Sequence, residues 1–250
     1  MTNGPVKNSR GAPALVVVNF RQERYLPALY ESVLRQSLSP SASILVNNSR
    51  SDFAAPSGVE VIESEKNRGF GAAANLGIRR ATDLGAGSVF VLNADVILDS
   101  LCLERLSLCP GGIVQPLILL ADRPGRINAA GLRPTRLGVA RCMKYMRGSA
   151  AAGIGPSPIP AASGAAMLIR REAVDLAGFF DEEFFLYLED VDFSLRVRRA
   201  GLAVMLEPRA VVWHHYRLGL RLPKLLHLWR NARRVRKRFS AEELTFSPRG

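Results

Sequence analysis

The sequence is short of several things, and each shortage removes a class of explanation. Its three cysteines, Cys102, Cys109 and Cys142, are odd in number and are not spaced with the three histidines as metal ligands would be. They read as reduced, structural residues. No run of about 18 uncharged apolar residues is present, and the opening MTNGPVKNSRGAPALVVVNF lacks the apolar block and small-residue cleavage site of a secretory signal. A cytoplasmic protein is therefore expected. Acids are also scarce, 22 Asp and Glu against 34 Lys and Arg, giving a formal net charge of +12. Aromatic residues make up only 7% of the chain and do not alternate with the arginines as a base-stacking platform requires, so no nucleic-acid partner is expected.

What is there is core-forming material. With 48% apolar residues and 22% charged ones, 250 residues suffice for one large domain or two small ones. The excess charge is local. Residues 217–250 hold ten Lys or Arg against Glu242 and Glu243, so this tail carries +8 and the body only +4. Within it, LPKLLHLWRNARRVRKRF sets Leu225, Leu228, Trp229, Ala232, Val235 and Phe239 at helical spacing, with Arg230, Arg234, Lys237 and Arg238 on another face. Such a helix suits an anionic membrane surface, and equally a terminal helix docked on the body with a solvated basic face.

The body alternates apolar runs with helical patterns. ALVVV (14–18), SILV (43–46), VEVIES (59–64) and SVFVLNAD (88–95) read as strands; YLPALYESVLRQS (25–37) and GAAANLGIRRATDLG (71–85) read as helices. Repeated strand–helix units imply a mainly parallel α/β sheet, whose ligands gather at the carboxyl ends of the strands. Asn19, Asn47, Asn48, Asn93 and Asp95 fall at those ends. Beyond residue 110 the chain is rich in Gly, Pro and Ala, which predicts hairpins and a mobile loop, followed by a strand at AAMLIRR, a helix at EAVDLAG and a strand at AVVWHH (210–215).

Two acidic sites stand out. In LNADV (92–96), Asn93 and Asp95 are two apart, so an extended chain projects both to one side, a half-site for Mg²⁺ or Mn²⁺; an Asx turn is the plainer alternative. His214 and His215 end a late strand and could complete the shell. In FFLYLEDVDFSLRVRRAG (184–201), Glu189, Asp190 and Asp192 crowd the start of a helix. The helix dipole favours one acid there, by up to about 1 kcal/mol, and hardly accounts for three. Asp192 lies about 200° around the helix from Asp190 and suits Arg196 one turn on.

The ordered series VVVNF, LVNNSRSD, NRGFGAAANLG, FVLNADV, ASGAAMLIRREAVDLAGFFDEEFFLYLEDVDFSLRVRRAG and PRAVVWHH resembles glycosyltransferase family 2, and within it the bacterial rhamnosyltransferase-type enzymes. The likeness extends to GRINAAG and to Arg230–Asn231 in the tail. It implies a GT-A fold, a mainly parallel sheet flanked by helices, over residues 12–216, followed by the basic amphipathic segment 217–250. It implies an inverting transfer of a sugar, rhamnose being the leading guess, from a dTDP- or UDP-sugar to a lipid-linked or cell-envelope glycan, at the inner face of the membrane. By the same resemblance Asp190 matches the general base, Asp95 and His214 the metal ligands, and Asn19, Phe20, Asn47, Asn67, Gly69, Asn75, Asn93 and Asp95 the nucleotide-sugar pocket. The chain departs from the family at Asn47 and Asn93, where acids are usual. A sugar nucleotidyltransferase and a non-catalytic nucleotide- or glycan-binding module are the alternatives. The former is disfavoured because the first strand leads into NFRQERYLP rather than a Gly-rich activation loop.

Overall fold

A computed structural model describes residues 11–49, 51, 53–216 and 222–245. In chain order the elements are β1 (Ala14–Asn19), α1 (Leu26–Leu34), β2 (Ser43–Asn47), β3 (Glu60–Glu63), α2 (Phe70–Asp83), β4 (Ser88–Asn93), β5 (Val96–Leu98) and α3 (Cys102–Leu108). Then come β6 (Ile113–Leu120), β7 (Arg123–Ala129), β8 (Leu132–Pro134), β9 (Ala140–Cys142), β10 (Ser157–Pro158), β11 (Ala166–Arg170), α4 (Arg171–Ala177), α5 (Glu189–Arg199), β12 (Val204–His214), α6 (Leu222–Arg238) and α7 (Ala241–Leu244).

One sheet organises the molecule, in the order β10-β12-β6-β11-β4-β1-β2-β3, with β5 added to β12 and β7 to β6. The pairs β1–β2, β1–β4, β2–β3 and β6–β12 are parallel, and β11 runs antiparallel between β4 and β6. All six residues of β1 are buried, as a central strand covered on both faces requires. Its alternate side chains feed two cores: Val16 and Val18 pack with Ile78 and Ala74 of α2, while Leu15 and Val17 pack with Leu29 and Val33 of α1. Gly77 lets α2 lie close on β1, since a Cβ there would stand 2.3 Å from Val16 Cγ1. The mainly parallel α/β sheet read from the sequence is the observed one.

The differences lie in the second half. The region read as hairpins contains a central strand, β6, all eight residues of which are buried. Pro116 sits inside it, and β12 accommodates the missing N–H with a register shift between Glu207 and Val211, opposite Pro116 and Leu117. The last strand accordingly begins at Val204 rather than 210. The hairpins themselves are β6–β7 and β8–β9.

The basic tail packs on the body. Ala232, Val235 and Phe239 are buried against Leu132, Phe184, Leu188, Val191 and Leu195. Arg238 bridges Asp181 and Asp192 at 2.7 Å each, and Arg199 pairs with Glu243 of α7. The single stripe read from the sequence therefore splits. Its C-terminal half docks, whereas Leu225 and Trp229 are exposed, together with Leu222 and Leu226. Arg234 and Arg238, expected on a free basic face, instead pair with Glu183, Asp181 and Asp192. Among the described residues no helix is long and apolar enough to cross a membrane.

Candidate active site

At the carboxyl ends of β1 and β4 the sheet opens into a cleft of about 430 Å³. Val18, Phe20, Gln22, Asn48, Asn67 and Gly69 form one side and the floor; Asn93 stands at the end of β4; Ser163, Phe185, Tyr187, Glu189 and Asp190 form the other side. Four of the residues expected in a nucleotide-sugar pocket, Phe20, Asn67, Gly69 and Asn93, thus share one cavity with Asp190. Gly69 is irreplaceable by geometry: at φ +83, a Cβ would meet the carbonyl oxygen of Phe185 at 2.0 Å.

Three expected pocket residues are placed elsewhere. Asn19 is fully buried behind the cleft, donating to Glu23 at 2.9 Å and accepting from the Gln22 N–H at 3.1 Å. Asn47 donates to Glu63 and to the carbonyl of Ser51, tying down the loop after β2. Asn75 is 1% exposed and clasps Phe180 through both its N–H and its carbonyl, a helix-to-loop brace. All three are neutral amides that satisfy backbone and loop groups, which accounts for their burial. The sequence placed Asn48 at the ligand-gathering strand ends without assigning it to the pocket, and it did not single out Gln22. Asn48 accepts from the Arg68 N–H and donates to Asn67, fixing the 67–69 segment; its position one residue past a strand end was the available signal.

Asp190 is the second residue of α5, and its carboxylate accepts N–H bonds from Gly164 and from Val191, both at 2.8 Å. Burial raises its pKa against these bonds. Glu189, beside it, is 6% exposed, and its Oε2 has no hydrogen-bond partner. Burial first, and the neighbouring Asp190 second, push the Glu189 carboxyl up to about 8. Burial thus disfavours a charge on either acid and two adjacent charges most of all, and the N–H bonds donated to Asp190 by Gly164 and Val191 favour its ionised form over that of Glu189. Asp192 points away, fully buried, to Arg196 at 2.8 Å as expected and to Arg238 at 2.7 Å. The turn into α5 is strained: Tyr187 and Leu188 both have φ +69, at about 1–3 kcal/mol each.

Asp95 sits one step from the cleft. Ala94 and Asp95 form a turn rather than extended chain, so Asn93 and Asp95 do not project together: Asn93 enters the cleft, while Asp95 turns to Gln22 and His214. Gln22, which lines the cleft, donates to Asp95 Oδ2 at 2.6 Å. His214 Nδ1 stands 2.9 Å from Asn128 Oδ1, so that nitrogen carries the proton and Nε2 presents a lone pair. Nε2 faces Asp95 Oδ1 at 3.3 Å, and Oδ1 is buried without a hydrogen-bond donor. Two acceptors facing each other at that distance fit a cation or a second ring proton between them. Among the described residues no group of three or more His, Cys, Asp and Glu is arranged to hold a metal, so any ion here would keep open positions.

This arrangement has relatives. Residues 14–107 match the profile of glycosyl transferase family 2, covering β1 through α3 and the Asn93–Asp95 segment. Over that segment the chain is similar to glycosyl transferase family 2. The low-salt glycan biosynthesis hexosyltransferase of Haloferax volcanii is 26% identical to it over 212 residues, 76% of this chain and 63% of that protein. The N-acetylglucosaminyl-diphospho-decaprenol L-rhamnosyltransferase of Mycobacterium tuberculosis is 43% identical over 58 residues, 23% of this chain and 19% of that one. The chain thus spans less than two thirds of the length of either relative. In fold it resembles GalNAc-T7, solved with UDP, GalNAc and Mn²⁺, at a TM-score of 0.70 and 18% identity over 90% of this chain and 48% of that one. The fold is the GT-A type expected from the sequence.

Proposed function

We propose that the chain transfers a sugar from a nucleoside-diphosphate sugar to an acceptor hydroxyl with inversion, Asp190 acting as general base. The observation that carries this reading is the carboxyl of Asp190 on the cleft wall, held by two backbone N–H groups beside a buried Glu189. A hydroxyl becomes a competent nucleophile only as its proton leaves, and a charged carboxylate within reach accepts that proton during attack. Glu189 keeps its own proton in its buried position, which leaves Asp190 ionised and open to the cleft. The Gly164 and Val191 N–H groups fix the orientation of the receiving oxygens.

The donor lies across the strand ends in this reading. Phe20 offers a face for the base, Asn67 and the bare backbone at Gly69 approach the nucleoside, and Asn93 reaches toward the diphosphate. Asp95 and His214 would hold a divalent cation, Mg²⁺ or Mn²⁺; when bound it would offset charge on the leaving diphosphate as a Lewis acid. Asn128 orients the imidazole and Gln22 orients the carboxylate. Rhamnose as the sugar is supported by the likeness of 58 residues to the mycobacterial rhamnosyltransferase, and a uridine-diphosphate donor, or its deoxythymidine counterpart, by the likeness in fold to GalNAc-T7 solved with UDP.

The acceptor is proposed to be a lipid-linked glycan, reached from an anionic membrane surface at the cytoplasmic side. The support is the face of α6 turned away from the body, where exposed Leu222, Leu225, Leu226 and Trp229 are followed by exposed Arg233, Arg236 and Lys237. Thermal shifts across a panel of nucleotide sugars, with and without Mn²⁺, test the donor side. A matched diphosphate sugar should raise Tm by several degrees at about 100 times its Kd, more so with metal. A protein stabilised by the sugar nucleotide that forms no glycoside with any polyprenyl-linked acceptor would be a binding module instead.

A further inference from the structure

We infer that Asn231 of α6 is a positioning residue for the cleft: its side-chain amide clamps the strained wall that presents Asp190, so that the basic tail is a working part of the active site. This rests on the glycosyl-transfer reading for its kinetic consequence, but the clamp itself is independent of it. Asn231 is 1% exposed, and its Nδ2 donates to two consecutive backbone carbonyls, those of Leu186 and Tyr187, at 2.9 Å each. Both residues line the cleft, and Tyr187 and Leu188 are the two left-handed residues immediately before Glu189 and Asp190.

An amide is well suited to this position. Its two N–H hydrogens satisfy two outward-turned carbonyls at once, whereas a hydroxyl satisfies one and a carboxylate none. The surrounding contacts grip the same segment from both ends. His227, one turn earlier on α6, lies with its ring 5.1 Å from that of Phe185 on the cleft wall. Phe184 is fully buried beneath the Arg234 and Arg238 guanidinia, at 5.9 and 5.8 Å from its ring. On the opposite side the Phe185 carbonyl presses on Gly69. Backbone held in a sparsely populated conformation persists only where its surroundings over-determine it, and here α6 supplies half of that constraint. Release of the carbonyls would let residues 186–188 relax and would move the start of α5, and with it the Asp190 carboxylate, relative to the donor.

The test pairs hydrogen exchange with kinetics on the full chain carrying Asn231→Ala. Exchange of the amides in 185–191 should accelerate by roughly tenfold or more while those of β1 and β4 keep wild-type rates. Turnover should fall by roughly tenfold or more at saturating acceptor, with nucleotide Kd within about twofold of wild type. Asn231→Ser, which keeps one donor, should fall between, and it replaces the alanine variant if that one does not fold. Wild-type exchange at 185–191 would overturn the clamp. Acceleration spread through β1 and β4 with loss of nucleotide binding would reduce Asn231 to a purely structural residue and also overturn the inference. If wild-type protein transfers no sugar, the transfer reading fails while the exchange result still decides the clamp.

Discussion

Two acidic pairs flank one cleft, and they meet the same electrostatic problem in different ways. Glu189 and Asp190 are adjacent carboxyls in low-dielectric surroundings, where burial pushes both up and a proton on Glu189 would avoid a second buried charge. Asp95 Oδ1, which lacks any hydrogen-bond partner, faces His214 Nε2 at 3.3 Å across a gap that a cation or a second ring proton would fill. The first pair is complete as it stands; the second is short of one positive charge. The contrast teaches which chemistry each side suits: proton acceptance at Asp190, cation binding at Asp95.

Substitutions that disable one pair alone break this comparison most sharply. Asp190→Asn keeps the shape and one of the two N–H contacts but cannot take a proton, and transfer should fall by about 10²–10⁴-fold in a direct product assay while nucleotide Kd holds steady. Asn128→Ala acts on the other pair: with the imidazole unanchored, Mn²⁺ affinity measured by calorimetry should weaken by about 10–100-fold, and transfer should recover at high metal concentration. If metal binds equally well to both proteins, His214 is not a ligand.

Proton storage at Glu189 is read from stability. Its carboxyl is raised from 4.5 to about 8, so its stabilising contribution is full below 4.5 and is lost as pH rises through about 8. Glu189→Gln, which mimics the protonated acid, should therefore gain on wild type between pH 5 and 9, by about 1 kcal/mol or more, roughly 2–4 °C in Tm. A Tm difference that stays constant across this range would place the proton elsewhere. The smallest expected effect belongs to the exposed end of α6. Trp229→Ala should change stability by no more than about 0.5 kcal/mol, yet reduce co-sedimentation with anionic vesicles. Undiminished vesicle binding would remove that face from the account.

Much of this was legible in the residues alone. The alternation of β-branched runs with helical spacing gave β1, α1, β2, α2 and β4, and the rule that ligands gather at strand ends pointed to Asn48 and Asn93, which line the cleft. What failed did so for identifiable reasons. The period-two argument for Asn93 and Asp95 assumed an extended chain through a turn, so it put both side chains on one side. Asn19, Asn47 and Asn75 carry no sequence mark distinguishing an amide that binds ligand from one that braces backbone. Pro116 hid a central strand, because the compensating irregularity lies on a partner 90 residues away. Helical periodicity revealed an apolar stripe in α6, but what covers each part of a stripe is a tertiary matter. The role of Asn231 depends entirely on contacts 44 and 45 residues back in the chain.

The most direct measurement of the central claim is a titration of selectively ¹³C-labelled carboxyl groups in the Glu189–Asp190 pair, assigned with the Glu189→Gln and Asp190→Asn proteins. The account predicts a neutral Glu189 that ionises near pH 8 beside an Asp190 already charged at neutrality. A Glu189 that ionises near its ordinary 4.5, or an Asp190 that holds the shared proton at pH 7, would contradict it.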